Sequence, residues 1–175
     1  GADWRPVQRA NRIADPRRPV AQHLRDAAFS KHRLPVARRN RDLHETVAVV
    51  SHSHYDHLDS WTVENLPATV GWYVPLGMAE FFRQRGRDDV TELDWWQSAK
   101  RGRWTITCLP SQHWSRRSIG DTNRMLWCAW LLDSGEYTYF FAGDTGYFEG
   151  FAAYGREFGP IDVALLPIGA YAPRW

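Results

Sequence analysis

Cysteine is scarce in this chain: Cys108 and Cys128 are the only two among 175 residues. Two thiols do not make a disulfide framework. Both stand in apolar, strand-like runs, so buried free thiols are expected, in keeping with a reducing compartment. Long apolar runs are lacking as well. None approaches the roughly 20 residues that a membrane-crossing helix needs, and no secretory signal pattern is legible. Internal repeats and low-complexity tracts are absent. The first residue is Gly rather than Met, so a fragment or a processed form is expected.

What is present suits one globular domain: 43% hydrophobic residues and ten tryptophans give ample material for a core. The net charge of +2 is unevenly spread. Residues 1–41 hold eleven Lys/Arg against three Asp/Glu, whereas the remainder holds eleven against seventeen. A basic front on an acidic body suits an anionic partner, either phospholipid headgroups or nucleic acid; a solvated arm is the alternative.

The chain is organised around Val47–Asp59, Val-Ala-Val-Val-Ser-His-Ser-His-Tyr-Asp-His-Leu-Asp. Val47–Val50 reads as a short buried strand that runs straight into His52, His54, Asp56 and His57. Side chains two apart on an extended segment share a side, so His52 and His54 point the same way. Past Tyr55 the chain must turn, because Asp56 and His57 are adjacent. Imidazoles and a carboxylate with no cysteine nearby are the ligands of a hydrolytic zinc or iron site, not of a structural zinc knot.

Around this stretch, strands and helices alternate. Residues 1–45 carry four prolines, a possible strand end at Ile13–Pro16, a short helix over Ala21–Phe29, and the isolated His23, His32 and His44, expected as surface residues. Asp59 or Ser60 should cap a helix that Pro67 closes. Strands are expected at Val70–Val74, Val90–Leu93, Trp104–Leu109 and Val163–Pro167, and a hairpin at Leu126–Leu132 with Tyr137–Ala142. Helices are expected at Leu76–Arg85, with Met78, Phe81 and Phe82 inward, and at Phe151–Phe158. Gly169–Trp175 reads as a loop. Trp95 and Trp96 would line a pocket or, more ordinarily, fill a core. His113 stands just past the Trp104–Leu109 strand, and Asp144 lies in Gly-Asp-Thr-Gly just past Tyr137–Ala142. A mixed α/β layered fold is indicated.

That repetition, a metal-capable residue beyond each of three strands, sets the chemistry. His52, His54 and His113 would hold one ion; Asp56 and His57 would begin a second site, and Asp144 could bridge. Two ions would activate a hydroxide and neutralise charge on an attacked phosphoryl or carbonyl group. Asp56 would also orient the attacking water, and Arg116 or Arg117 would pair with a substrate phosphate.

His52-Ser53-His54-Tyr55-Asp56-His57 resembles the His-x-His-x-Asp-His signature of the metallo-β-lactamase fold superfamily. Together with Val74–Gly77, Glu92–Trp96, Pro110–Trp114, Phe140–Tyr147 and Pro167–Tyr171, the stretch from Ser51 to Asp59 is similar to the N-acyl-phosphatidylethanolamine-hydrolysing phospholipase D family. The resemblance implies an αββα sandwich over residues 46–175, incomplete at both ends, preceded by a basic segment, 1–45, that matches poorly. It implies a phosphodiesterase with two zinc ions, iron or manganese being alternatives, that cleaves N-acyl-phosphatidylethanolamine to N-acylethanolamine and phosphatidic acid. By the family pattern His52, His54 and His113 hold one zinc, Asp56 and His57 the other, and Asp144 bridges, making Asp56 and Asp144 the catalytic carboxylates. Tyr55 and Arg117 match positions beside the substrate. The family's last ligand is a His beyond the Pro167–Tyr171 block, and none precedes the end at Trp175. Two rivals therefore stand beside this reading: another hydrolase of the same fold (a nuclease, lactonase or ester hydrolase), and an inactive metal-binding remnant. The expected setting is cytoplasmic, in peripheral contact with an anionic membrane surface. A phospholipid substrate and a second copy of the chain are the expected partners; nucleic acid is not.

Overall fold

The computed structural model describes residues 46–169. The expectations for Ile13–Pro16, Ala21–Phe29, His23, His32, His44 and residues 170–175 lie outside that range, as does the basic segment 1–45.

Two sheets follow one another along the chain. The first is parallel, with order β1 (Val47–Val49), β2 (Gly71–Pro75), β3 (Val90–Leu93). The second runs β4 (Ser98–Arg101), β5 (Trp104–Leu109), β6 (Ala129–Asp133), β7 (Thr138–Phe141), β8 (Val163–Leu165). Its first four strands are antiparallel, and β8 lies parallel to β7. Three helices complete the described residues: α1 (Ser60–Asn65), α2 (Ala79–Arg83) and α3 (Gly150–Phe158).

Strand alternation sorts the apolar side chains into three cores. On β2, Trp72 and Val74 turn toward the helices and meet Val63 of α1, Phe82 of α2, and Val50, Leu58 and Met78. Tyr73, between them, faces the other way and joins Leu93, Ile106, Cys108, Cys128 and Trp130 between the sheets. The second sheet's far face presents Leu109, Ala129, Leu131 and Phe140 to Tyr154 of α3. Helices, sheet, sheet and helix thus form four layers around three buried seams, which is the αββα sandwich. Because β2 is parallel and covered on both faces, all five of its residues are buried. Cys108 and Cys128 are buried free thiols in the middle seam.

Local chemistry sets the helix ends. Asp59 accepts from the Thr62 N–H at 2.8 Å, capping α1, and Leu66 turns extended ahead of Pro67. The helix expected over Leu76–Arg85 is only Ala79–Arg83, because Gly77 sits at φ 90 and Met78 is the cap position. Its first N–H is received by the Glu92 carboxylate at 2.6 Å. β4 is an addition to the expected strands, and β6 starts later than expected, at Ala129. The preceding residues bond across to the first sheet's loops instead: Leu126 N–H to Leu76 O and Cys128 N–H to Ser51 O, both at 2.8 Å. The two tryptophans divide: Trp95 packs into the middle seam, and Trp96 stands exposed at φ 69.

Candidate metal centre

Each functional side chain leaves a strand end on the same rim of the sandwich. Val50 and Ser51 leave β1 buried, and His52 is buried after them. Trp130 of β6 fixes the start of this exit, its indole N–H donating to Val50 O at 2.9 Å. The loop then turns tightly, with His57 N–H and Leu58 N–H both bonded to His54 O, at 3.1 and 2.9 Å. Beyond β5, Tyr154 of α3 donates its hydroxyl to Pro110 O at 2.7 Å, anchoring the segment that carries His113. Beyond β7, the Asp144 turn is sewn to that same segment. Gln112 N–H donates to Thr145 Oγ1, and Gly146 N–H donates to Gln112 O, each at 2.9 Å.

The result is a convergence of nitrogen and oxygen donors. His113 Nε2 lies 3.2 Å from His52 Nε2 and 3.2 Å from His54 Nδ1. His57 Nε2 is 3.3 Å from Asp144 Oδ2, and His113 Nε2 is 4.0 Å from the same oxygen. Ligand atoms of His52, His54 and His113 all lie within 4.8 Å of one another, as do those of His52, His57 and Asp144. Asp56 stands at the edge, outside both groups, with Oδ2 3.6 Å from His57 Nε2 and its side chain exposed.

Burial keeps the imidazoles of His52, His54 and His113 neutral. Burial, reinforced by His57, His113 and His54, pushes the His52 pKa down to about 2. Burial also lowers His54 and His113, against the pull of Asp144 on each. Ser51 Oγ lies 3.0 Å from His52 Nδ1. With the Nδ1 proton given to that hydroxyl, Nε2 keeps its lone pair toward the centre.

The residues fit a cation. Three imidazole nitrogens, His52 Nε2, His54 Nδ1 and His113 Nε2, face one another with too few protons to bond them all, which leaves lone pairs aimed at a common point. Nitrogen and carboxylate oxygen together are the donor set of a divalent hydrolytic metal.

Beside the cluster opens a groove of about 560 Å³ walled by His54, Tyr55, Asp56, Trp114, Arg116 and Ile119. Trp114 packs edge-on against His54, centroids 4.5 Å apart. Tyr55 is 71% exposed. Arg116 is exposed on the groove wall. Arg117 also lines the groove, but its guanidinium is turned onto backbone carbonyls of the ligand loop.

Residue-by-residue reading of the sequence missed Ser51 and the Thr145 hydroxyl. A serine directly ahead of the first His was a visible signal for the Nδ1 partner. The joining of the two second-sheet loops had none.

A model of the β-lactamase superfamily domain matches residues 15–175. The chain belongs to that superfamily and carries the metallo-β-lactamase fold. Fold and cluster together define a candidate metal centre at the rim of that fold. Within the superfamily the chain is similar to N-acyl-phosphatidylethanolamine-hydrolyzing phospholipase D 1 of Caenorhabditis elegans, 43% identical over 141 residues. It is also similar to the mitochondrial N-acyl-phosphatidylethanolamine-hydrolyzing phospholipase D of Saccharomyces cerevisiae, 40% identical over 141 residues. These matches take in 73% and 74% of this chain but only 40% and 30% of the relatives, so the chain spans less than half their length. Among solved structures, the metallo hydrolase Igni18 of Ignicoccus hospitalis aligns with a TM-score of 0.56 at 20% identity, over 71% of this chain and 52% of that one. The diiron β-hydroxylase CmlA of Streptomyces venezuelae aligns with 0.56 at 21%, over 67% and 24%. At such identities the likeness speaks for the fold.

Proposed function

We propose that the chain forms the metal-binding core of a hydrolase that cleaves N-acyl-phosphatidylethanolamine to N-acylethanolamine and phosphatidic acid. The observation that carries the reading is the meeting of His52, His54, His113, His57 and Asp144 beside a groove with aromatic walls and an exposed guanidinium. Similarity to phospholipases of that specificity supports the substrate.

Two zinc ions are the proposed cofactor, with iron or manganese compatible with the same donors. His52, His54 and His113 would hold one, Asp56 and His57 the other, with Asp144 shared. When bound, such ions supply a water that ionises near neutral pH and positive charge against phosphoryl oxygens. The chain's own residues do the rest. Ser51 sets the His52 tautomer. The exposed Asp56 carboxylate, at the groove edge, orients the attacking water and takes up its proton. Arg116 pairs with the substrate phosphate, while Tyr55, Trp114 and Ile119 give apolar surface to the lipid. The protein would act as a peripheral protein on the cytoplasmic face of an anionic membrane, where the basic residues of 1–41 add attraction.

The test is release of N-acylethanolamine from labelled substrate, with and without a chelator, and with zinc restored. Chelator-sensitive release that His113→Ala abolishes is expected. Cleavage of RNA, DNA or a lactone in place of the lipid overturns the substrate. Indifference to chelator overturns the metal chemistry, and tight metal binding with no turnover of any of these leaves a remnant.

A further inference from the structure

We propose that Arg117 is a positioning residue: its guanidinium clips the ligand loop from carbonyl to carbonyl and holds His54, Asp56 and His57 in place before any ion arrives. The inference rests on the metal-centre reading above.

Arg117 Nη1 donates to Ser53 O at 3.2 Å and to Leu58 O at 2.7 Å, and Nη2 donates to Ser60 Oγ at 3.3 Å. Ser53 and Leu58 flank the stretch His54–His57. One nitrogen bonded to both carbonyls therefore closes that stretch into a ring. Inside the ring, the backbone bonds are only those of His57 and Leu58 to His54 O. The guanidinium carbon lies over two rings, 4.4 Å from the Tyr55 ring centre and 4.6 Å from that of Phe81 in α2, a ring that Arg85 also covers at 3.6 Å. Its own backbone is fixed too, the Arg117 N–H donating to Asp121 Oδ1 at 3.0 Å.

Among the described residues no carboxylate pairs with this guanidinium, which is half-buried; burial lowers its pKa from the usual arginine value. Asp59 and Asp121 favour its charge from beyond ion-pair distance and Arg85 opposes it; a part-buried cation without a directly paired counter-ion is costly. Here its charge is met by carbonyl dipoles and ring faces, all of them on or beside the ligand loop. Arg is suited to this and Lys is not, because a planar fork reaches several acceptors while its carbon rests over aromatic rings. The neighbouring Arg116 lies against Trp114 instead, 6.0 Å from its ring centre, and faces the groove. The two adjacent arginines divide the work: Arg116 faces ligand, and Arg117 faces the loop.

The experiment compares Arg117→Met, Arg117→Lys and Arg116→Met in the full chain. It reads amide hydrogen exchange of metal-free protein, zinc and cobalt affinity by titration, the cobalt absorption spectrum, and the split between kcat and KM. For Arg117→Met we expect exchange at His57 and Leu58 to rise at least about tenfold and metal affinity to fall roughly 10–100-fold, as when an outer partner of a metal ligand is lost. Arg117→Lys should recover only a small part of either. Arg116→Met should leave both unchanged and raise KM. Wild-type exchange and metal affinity in Arg117→Met, with KM alone raised, would overturn the proposal and make Arg117 a substrate contact. If circular dichroism shows that Arg117→Met has not folded, Phe81→Leu carries the test, since it removes one ring wall and no hydrogen bond. Metal binding weakened a few-fold then supports the clip, and unchanged affinity overturns it. A wild-type chain that binds no metal sinks the metal-centre reading instead, while the exchange measurement still decides on the clip.

Discussion

His52 sits where an imidazole is hardest to protonate, and that has a thermodynamic consequence for the metal-free protein. The unfolded chain takes up this proton near pH 6.5, whereas the folded chain holds off until about pH 2. Burial shifts His54 and His113 in the same direction. Below about pH 6.5 the unfolded state therefore binds more protons than the folded one, and stability falls as pH falls. Thermal scans of chelated protein should show the melting temperature dropping steadily from pH 7 to pH 5, with a shallower slope in His52→Gln. A flat profile would mean that these imidazoles are solvated. Most of this was legible from the spacing of His52, His54, Asp56 and His57 after an apolar strand. The inward turn of Arg117 was not, because a sequence does not reveal which of two neighbouring arginines has carbonyls within reach.

Elements bring the remaining clustered side chains together, and two of their exits meet tightly at a glycine. Gly143, two residues beyond β7, sits at φ 60, and a Cβ there would stand 2.5 Å from Ser51 Cβ. The left-handed backbone alone costs a non-glycine residue roughly 1–2 kcal/mol, and the clash adds about 1–3 kcal/mol. Gly143→Ala should lower the melting temperature by about 4–20 °C, at roughly 2–4 °C per kcal/mol for a chain of this size. It should also weaken metal binding by displacing Asp144, as a zinc titration would register. An alanine variant as stable as the parent would show that the two strand ends can part freely. Strands with clear apolar runs, β1, β2, β3, β5 and β7, could be read from the sequence. β4 could not: Ser-Ala-Lys-Arg is polar and half-exposed, and it is a strand only because β5 offers it an edge. The start of β6 was misplaced for a related reason: Leu126 and Cys128 are apolar enough for a strand, but tertiary partners claim their N–H groups.

At the scale of the molecule, the ligands come from both sheets. The loop after β1 hangs from the first sheet, whereas His113 and Asp144 hang from β5 and β7 of the second. An ion held by both would pin the layers together across the middle seam, and binding to the folded state alone stabilises by mass action. At 100 times its dissociation constant an ion contributes about 2.7 kcal/mol. Zinc added to chelated protein should therefore raise the melting temperature by about 5–10 °C in one cooperative transition. A transition that split in two on chelation would show the sheets melting separately. A layered α/β fold was readable from interleaved strands and helices and the αββα order from the family resemblance, but nothing in the pattern said which strand faces which seam. Alternation settles that only once Tyr73 and Trp72 are seen on opposite sides of β2.

The sheets are also consecutive: among the described residues, every strand through Leu93 belongs to one, and every strand from Ser98 onward belongs to the other. A cut within Asp94–Gln97 would leave His52, His54, Asp56 and His57 on one piece and His113 and Asp144 on the other. The chemistry is thus indivisible although the architecture is not. Separating the halves would keep each sheet's strands together and divide the metal cluster between two pieces.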